Sequence, residues 1–173
     1  MLPERKAKQF MYHIAQVNMA YALAPLGDPR LAAFAAQLDQ IYALAEASPG
    51  FIWRLKAEDI SSSSHDLPTD ERLFATISVW SSIEALKVFT YQGEHVQVMR
   101  RRREWFVPLK GAYIALWWVP AGHTPDLAEV KERMDYLRLH GPTPFAFSFS
   151  QNFPVPATEG DKAESVGRAS INE

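Results

Sequence analysis

The sequence contains no cysteine. This absence excludes disulfides, thiolate metal sites and cysteine nucleophiles. No apolar run approaches the roughly 20 residues that a transmembrane helix needs. Neither sign of charge dominates, since 18 lysines and arginines are balanced by 20 aspartates and glutamates, for a net charge of −2. The balance gives no general attraction to nucleic acid or to an anionic membrane surface.

Familiar site motifs are also missing. The five histidines are scattered, without the H-x-H or H-E-x-x-H spacing of a metal site. The chain has no glycine-rich phosphate loop and no G-x-S-x-G nucleophile elbow. Its charged start, MLPERKAKQF, has no following apolar region or cleavage site, so we do not expect a signal peptide. We expect a cytoplasmic protein of bacterial type without a metal.

The length and composition predict one globular domain. A chain of 173 residues with 47% apolar residues can bury a single sizeable core. After Gln151 the composition turns to Pro, Ala, Glu, Ser and Asp, which is typical of a flexible tail. We expect a leader at 1–9, a domain at 10–153 and the tail at 154–173.

The periodicity predicts alternating strands and helices. Strands are expected at 13–23, 51–55, 73–80, 113–119 and 145–149. Helices are expected to begin at Asp28-Pro29, at Ser81 in an S-x-x-E capping box and at Thr124-Pro125; stop signals follow at Ser48-Pro49-Gly50, Gln92-Gly93 and Gly141-Pro142. The order β-α-β-β-α-β, followed by an extra α-β, fits an α+β ferredoxin-like fold with an antiparallel sheet.

One face of that sheet would mix apolar and polar side chains. It would carry Ile14, Gln16, Asn18, Ile52, Arg54, Phe74, Thr76, Ser78, Trp80, Ile114, Leu116 and Trp118. A solvent-facing sheet surface is one interpretation. So much exposed apolar surface is unusual on a monomer, however. We therefore expect a homodimer through the sheet faces, with the polar members lining an internal cleft.

The stretch WSSIEALKVFTYQGEH resembles a signature of the dimeric α+β barrel superfamily. That superfamily includes antibiotic-biosynthesis and haem-degrading monooxygenases. A closer resemblance, over about residues 9–153, is to an uncharacterised bacterial family. It rests on the segments AQVN, SPGFIWRL, SVWSSIEAL, HVQVMRRRREWF, LWWVPAGHTP and HGPTPFAFSF. The resemblance implies the dimeric barrel fold but no established activity.

The resemblance also implies candidate catalytic residues. Haem-degrading members use an asparagine on the first strand, a tryptophan and a helical histidine, and Asn18 and His95 fall at matching positions. Trp80 lies at a strand end rather than on the helix, so it departs from that pattern. The alternative for His95 is a capping or packing role.

The polar members of the mixed face are candidate substrate-binding residues. Gln16, Arg54, Thr76 and Ser78 could bind a phenol or quinone oxygen in a pocket lined by Trp80 and Trp118. The alternative is a hydrogen-bonded network at a dimer seam.

Two further segments have open interpretations. Arg100 to Arg103 fits a solvated, salt-bridged helix face in which Arg100 pairs with Glu104; a phosphate or carboxylate clamp is the second choice and nucleic-acid binding the third. The polar connection at 57–72 is either a long loop or a lid over a cleft.

The function expected from these features is a cofactor-independent monooxygenase of a small aromatic or quinol-type substrate. Such an enzyme needs a dry aromatic pocket, a donor for an enolate-type anion and a base. His95 would be the base, and Asn18 or Arg54 the donor. The alternatives are a non-catalytic haem- or small-molecule-binding module, and a dimerisation protein without a ligand.

Overall fold

A computed structural model describes residues 11–56, 70–92 and 95–156, apart from the side chain of His95. The expected leader, most of the 57–72 connection and most of the tail lie outside the described residues. The described strands are β1 (Tyr12–Ala22), β2 (Phe51–Arg54), β3 (Leu73–Trp80), β4 (Phe106–Val107) and β5 (Ile114–Pro120). The described α-helices are α1 (Ala32–Ala47), α2 (Ile83–Tyr91), α3 (His95–Arg101) and α4 (Leu127–His140).

The strands form an antiparallel sheet in the order β2-β3-β1-β5, with the short β4 paired to the end of β1. This order and direction are those of a ferredoxin-like βαββαβ unit, so the predicted α+β fold is confirmed. Within the described ranges, no helix is long and apolar enough to cross a membrane.

The register of β1 and β3 sets the polar residues of the mixed face opposite one another. Asn18 lies opposite Thr76, and Gln16 lies opposite Ser78. Arg54 on β2 lies opposite Ser78 from the other side. Because alternate residues of a strand share a face, these side chains all project toward the same layer of the protein.

The mixed face is covered by helices of the same chain. Trp80 and Leu116 are buried with Ile83 and Leu86 of α2, and Phe34 of α1 packs near the other end of the face. Our expectation that this face stays uncovered until a second copy buries it was therefore wrong. Strand alternation says which residues share a face, but not which face receives the helices. Homodimer formation itself stays a prediction.

The second face of the sheet is covered by α4. The contacts of this layer come from Val130, Met134 and Leu137, which pack over β1, β3 and β5. The Trp117 indole also donates a hydrogen bond of 2.8 Å to the Glu129 carboxylate of α4. Both faces of the sheet thus pack against helices of the same protomer.

The helix boundaries follow the predicted signals closely. The Asp28 carboxylate accepts from the Arg30 amide at 2.9 Å and starts a 3-10 turn at Pro29–Leu31, which leads into α1. The cap of α2 is Ser82 rather than Ser81, because it is the Ser82 hydroxyl that accepts from an amide of the first turn. Asp126 rather than Thr124 caps α4, again through an amide of the first turn.

The predicted strand at 145–149 is reduced to a single bridge between Phe147 and Leu116. Neighbouring residues of this segment belong to opposite layers. Ala146 packs in the layer under α4, and Phe147 packs in the layer under α2. The alternating pattern FAFSF thus reflects a segment that closes the edge of β5 and contributes to both cores.

Candidate functional site

Two adjoining cavities lie between the mixed sheet face and the helices. The Asn18 cavity is lined by Asn18, Ala20, Phe34, Leu38, Ile41, Tyr42, Phe74, Thr76, Val98, Met99, Arg102 and Phe106. The Ser78 cavity is lined by Gln16, Ile41, Tyr42, Ala45, Phe51, Arg54, Leu55, Ala75, Thr76, Ile77, Ser78, Trp80 and Phe89. Each has a volume of about 80 Å³. They adjoin because Ile41, Tyr42 and Thr76 line both.

Asn18 carries an unsatisfied acceptor in the first cavity. Its Oδ1 atom is buried and has no hydrogen-bond partner among the described residues. Leaving a buried acceptor unpaired costs about 1–3 kcal/mol, so folded proteins rarely keep one without a reason. Because Asn18 lines the cavity, a small rotation of its side chain would bring this atom within reach of a hydrogen-bond donor there.

Four of the twelve described residues that line the Asn18 cavity are aromatic. Phe34 of α1 contacts Phe74 and Phe106 edge to face, with ring centroids 5.3 Å and 4.9 Å apart. The same ring lies 5.4 Å from that of the buried Trp105. Such packing fixes the wall, and it presents ring edges and faces to whatever occupies the space.

Arg102 is the charged residue of the Asn18 cavity. It lies in the 3-10 turn Arg102–Glu104 that follows α3, and its guanidinium stacks over the Tyr113 ring at 4.9 Å. Its three arginine neighbours in the block are exposed. One of them, Arg101, pairs with Glu104 at 2.8 Å, so the predicted salt-bridged face exists, with Arg101 rather than Arg100 as the partner.

The polar groups of the Ser78 cavity are satisfied by one another. The Ser78 hydroxyl accepts hydrogen bonds of 2.9 Å from the Gln16 amide and from the Trp80 indole. All three residues are buried. The alternative to substrate binding predicted for Gln16 and Ser78 was a hydrogen-bonded network at a dimer seam. They do form such a network, but inside one protomer.

Arg54 and Tyr42 form the outer part of the Ser78 cavity. The Arg54 guanidinium bonds Glu46 of α1 at 2.8 Å and stacks on the Tyr42 ring at 4.2 Å. Burial raises the pKa of Tyr42 above its ordinary value, although the Arg54 cation opposes the shift. Tyr42 is therefore neutral at physiological pH, and it lines both cavities.

The remaining two predicted site residues lie elsewhere. The Trp118 indole donates to the carbonyl of Phe153 at 2.9 Å and lines neither cavity. It instead holds the segment that follows α4. His95 is the first residue of α3, but its side chain lies outside the described part of the chain. The catalytic roles predicted for His95 and Asn18 stay predictions.

Among the residues of the Asn18 cavity that the sequence did not predict are Phe34, Tyr42 and Arg102. Arg102 belongs to a run of four arginines, and the run itself does not show which arginine lines the cavity. The available signal was the run's position just before the apolar pair Trp105-Phe106, which requires the chain to turn inward there.

The cavities do not fit haem. A drug-sized ligand already occupies a pocket of about 300–1,000 Å³, far above the volume of either cavity. No histidine with a described side chain lines either one. Nor do the described residues hold a group of three or more His, Asp or Glu side chains that could bind a metal ion.

Similar folds occur in solved structures of low sequence identity. A protein of unknown function from Nitrosomonas europaea, NE2512, is 14% identical with a TM-score of 0.44, over 67% of this chain and 95% of that one. PA3566 from Pseudomonas aeruginosa is 16% identical with a TM-score of 0.44, over 66% and 98%. SnoaB, a cofactor-independent oxygenase from Streptomyces nogalater, is 16% identical with a TM-score of 0.41, over 65% and 95%. Similarity of this degree says nothing about activity.

None of the curated protein sequences matches this chain. A family model does match, over residues 13–163, which is most of the sequence. The predicted relation to an uncharacterised family is thereby confirmed. The chain belongs to the family described as "Domain of unknown function (DUF3291)".

Proposed function

We propose that this protein binds a small aromatic molecule carrying a hydroxyl group in the Asn18 cavity. The observation that supports it best is the buried Oδ1 atom of Asn18, which has no partner among the described residues. A ligand hydroxyl would donate to that atom and remove the cost of leaving it unpaired. The aromatic walls from Phe34, Phe74 and Phe106 favour a planar ring as the body of the ligand.

The size of the cavity limits the ligand to a small ring. An apolar cavity of about 150 Å³ accommodates benzene, and the Asn18 cavity measures about 80 Å³. Met99 lines the cavity from α3 and is only partly buried. Because a methionine side chain is unbranched and flexible, rotation of Met99 is the simplest way to admit a ring.

A calorimetric titration tests the binding proposal. Phenol, hydroquinone and 2-naphthol are titrated into the protein, with toluene as the ring that lacks a hydroxyl. We expect saturable binding of the hydroxylated rings, weakened about tenfold by Asn18→Leu, which removes the acceptor but keeps the volume. The matched control Asn152→Leu changes an exposed asparagine and should bind as the wild type does. If the wild type binds none of the panel, the proposal is refuted.

We further propose that the ligand is a substrate for oxygenation without a cofactor. A base removes a proton from an activated CH₂ group, the resulting enolate-type anion reduces O₂ and binds it at carbon, and loss of water leaves a ketone. Overall, one CH₂ group and one O₂ become one C=O group and one H₂O. In this proposal His95 is the base, and the Asn18 amide donates to the anion.

Oxygen consumption separates an enzyme from a binding module. An oxygen electrode would follow a single-ring phenol that carries an activated CH₂ group, such as 4-hydroxyphenylacetone, with wild-type protein, His95→Ala and Asn18→Ala. We expect turnover that both substitutions reduce at least a hundredfold, since each removes a group that acts in the transition state. Binding without oxygen uptake would reject the oxygenase and leave the binding module. A haem titration should give no stoichiometric Soret shift, because the cavities are too small.

A further inference from the structure

The charged and polar residues of the Asn18 cavity bear on the charge of the ligand that the cavity would favour. Among the described residues that line it, Arg102 carries the only formal charge, and none is an aspartate or glutamate. The other polar members are an amide, a hydroxyl and a neutral phenol, from Asn18, Thr76 and Tyr42. The described wall of the cavity is therefore mainly apolar and aromatic, with one cation.

Arg102 lines the cavity and has no carboxylate partner among the described residues. Arg101 pairs with Glu104, but no described carboxylate forms an ion pair with Arg102, whose contact is the face of Tyr113. A partly buried guanidinium with an aromatic stack and no anion retains free donors. Bringing a cation out of water without an anion is unfavourable, and a bound anion would offset that cost.

We propose that the ligand is a hydroxylated aromatic anion, and that Arg102 determines this preference. The Arg102 guanidinium donates to the carboxylate or phenolate oxygen, and the Asn18 Oδ1 atom accepts from the hydroxyl. This inference rests on the proposed function, because it names the class of ligand for the same cavity. It also gives one member of the arginine block a role that the solvated-face interpretation does not.

A paired titration measures how much the negative charge of the ligand contributes to its affinity. The ortho, meta and para isomers of hydroxybenzoate are compared by calorimetry with the corresponding hydroxybenzamides, which keep the shape and hydroxyl but lack the charge. We expect the wild type to bind the best anion about tenfold to a hundredfold more tightly than its amide. Arg102→Gln should abolish this preference and still bind the amide, which shows that the cavity is intact. Arg102→Lys should restore part of the preference, because it restores the charge but not the planar fork.

The neighbouring arginine provides a matched control. Arg103 is exposed and lines neither cavity, so Arg103→Gln makes the same change in net charge and should keep the preference. Equal affinity of the wild type for anion and amide would overturn the inference and leave the proposed function standing. So would an Arg102→Gln variant that keeps the preference, or an Arg103→Gln variant that loses it. Failure of the wild type to bind any hydroxylated ring, charged or neutral, would overturn both.

Discussion

Asn18 and Gln16 lie two residues apart on the same face of β1, yet their amides are in opposite situations. Gln16 donates to Ser78 in a closed network, whereas the Asn18 Oδ1 atom has no partner among the described residues. The first arrangement stabilises the fold and the second weakens it. A destabilising polar group that faces a cavity is typical of a residue kept for binding rather than for folding.

Replacing Asn18 by leucine should therefore stabilise the protein without ligand. The change removes a buried unpaired acceptor and adds apolar contact with the aromatic wall, so we expect a gain of about 1 kcal/mol in the free energy of unfolding. Urea denaturation followed by tryptophan fluorescence measures it.

Gln16→Leu is the contrasting control on the same strand. It leaves the Ser78 hydroxyl with one donor fewer in a buried site, so we expect a loss of about 1–2 kcal/mol. A loss of stability in Asn18→Leu similar to that in Gln16→Leu would mean that Asn18 serves the fold, and would remove the main support for the binding site.

For individual residues, the sequence predicted which side chains share a face of the sheet, but not which helices pack against that face. Alternation along β1 and β3 correctly grouped Gln16, Asn18, Thr76 and Ser78 on one face. It could not reveal Arg102, because four consecutive arginines leave the inward member undetermined until the packing of Trp105 and Phe106 sets the turn. The approach of α1 and α3 to the polar face is likewise a property of tertiary packing.

The elements begin and end at short local signals, which is why their boundaries could be predicted to within a residue or two. Capping is decided by which side-chain oxygen reaches a free amide, and adjacent candidates such as Ser81 and Ser82 differ only in backbone geometry. The stop at Gly50 has a stronger cause. Its φ angle is +85°, and its carbonyl accepts from the Ser81 amide at 2.7 Å, so β2 is joined closely to the start of α2.

Gly50→Ala should be among the most destabilising single-methyl changes in the chain. A Cβ atom there would lie 2.6 Å from both the Ala85 Cβ and the Ser81 Oγ atoms. The left-handed backbone costs an alanine about 1–2 kcal/mol, and the overlap adds about 1–3 kcal/mol. Differential scanning calorimetry would show a much lower melting temperature.

Gly122→Ala is the matched control for that experiment. Its φ angle is +89°, close to that of Gly50, but a Cβ atom there meets no described atom within 4 Å. It should show the backbone cost alone. Equal losses at the two positions would argue against a close contact between Gly50 and the start of α2.

The start of α1 should give the protein an acid-sensitive component of stability. Hydrogen bonds from the Arg30 side chain and amide lower the pKa of Asp28 from 3.8 to about 2. Because the folded pKa is depressed, the contribution is complete above the unfolded pKa and is lost as the pH falls from about 4 to about 2. Asp28→Asn keeps a capping oxygen but removes the charge.

The measurement is the difference in melting temperature between the wild type and Asp28→Asn as a function of pH. The wild type should be more stable above about pH 5, and the difference should shrink toward zero near pH 2. Because Asp28 is at the surface, added salt should reduce the effect. A difference that stays constant down to pH 2 would show that the Asp28–Arg30 pair does not stabilise the helix start.

For the whole molecule, the main consequence of the structure is that one chain covers both faces of its sheet. The mixed face lies under α1 and α2, and the apolar face lies under α4. The sequence predicted the order of elements and the ferredoxin-like topology because these depend on local periodicity. It failed on which face each helix covers, because both faces carry enough apolar residues to accept one. The face that a sheet-to-sheet homodimer was expected to bury already packs against helices of the same chain. Light scattering of the 19.6 kDa chain would decide the oligomeric state.

The two layers are joined at one edge by the segment after α4, and this connection should make unfolding cooperative. Phe147 is fully buried in the layer under α2, and Ala146 is fully buried in the layer under α4. We expect Phe147→Ala to cost about 3–5 kcal/mol, because it opens a cavity and loosens the closing segment. Phe149→Ala, which removes a partly exposed ring that contacts Tyr91, should cost much less. Fluorescence and far-UV circular dichroism should report one coincident urea transition in the wild type and in Phe149→Ala. Separate transitions in the wild type would mean that the layers unfold independently and that the closing segment does not couple them.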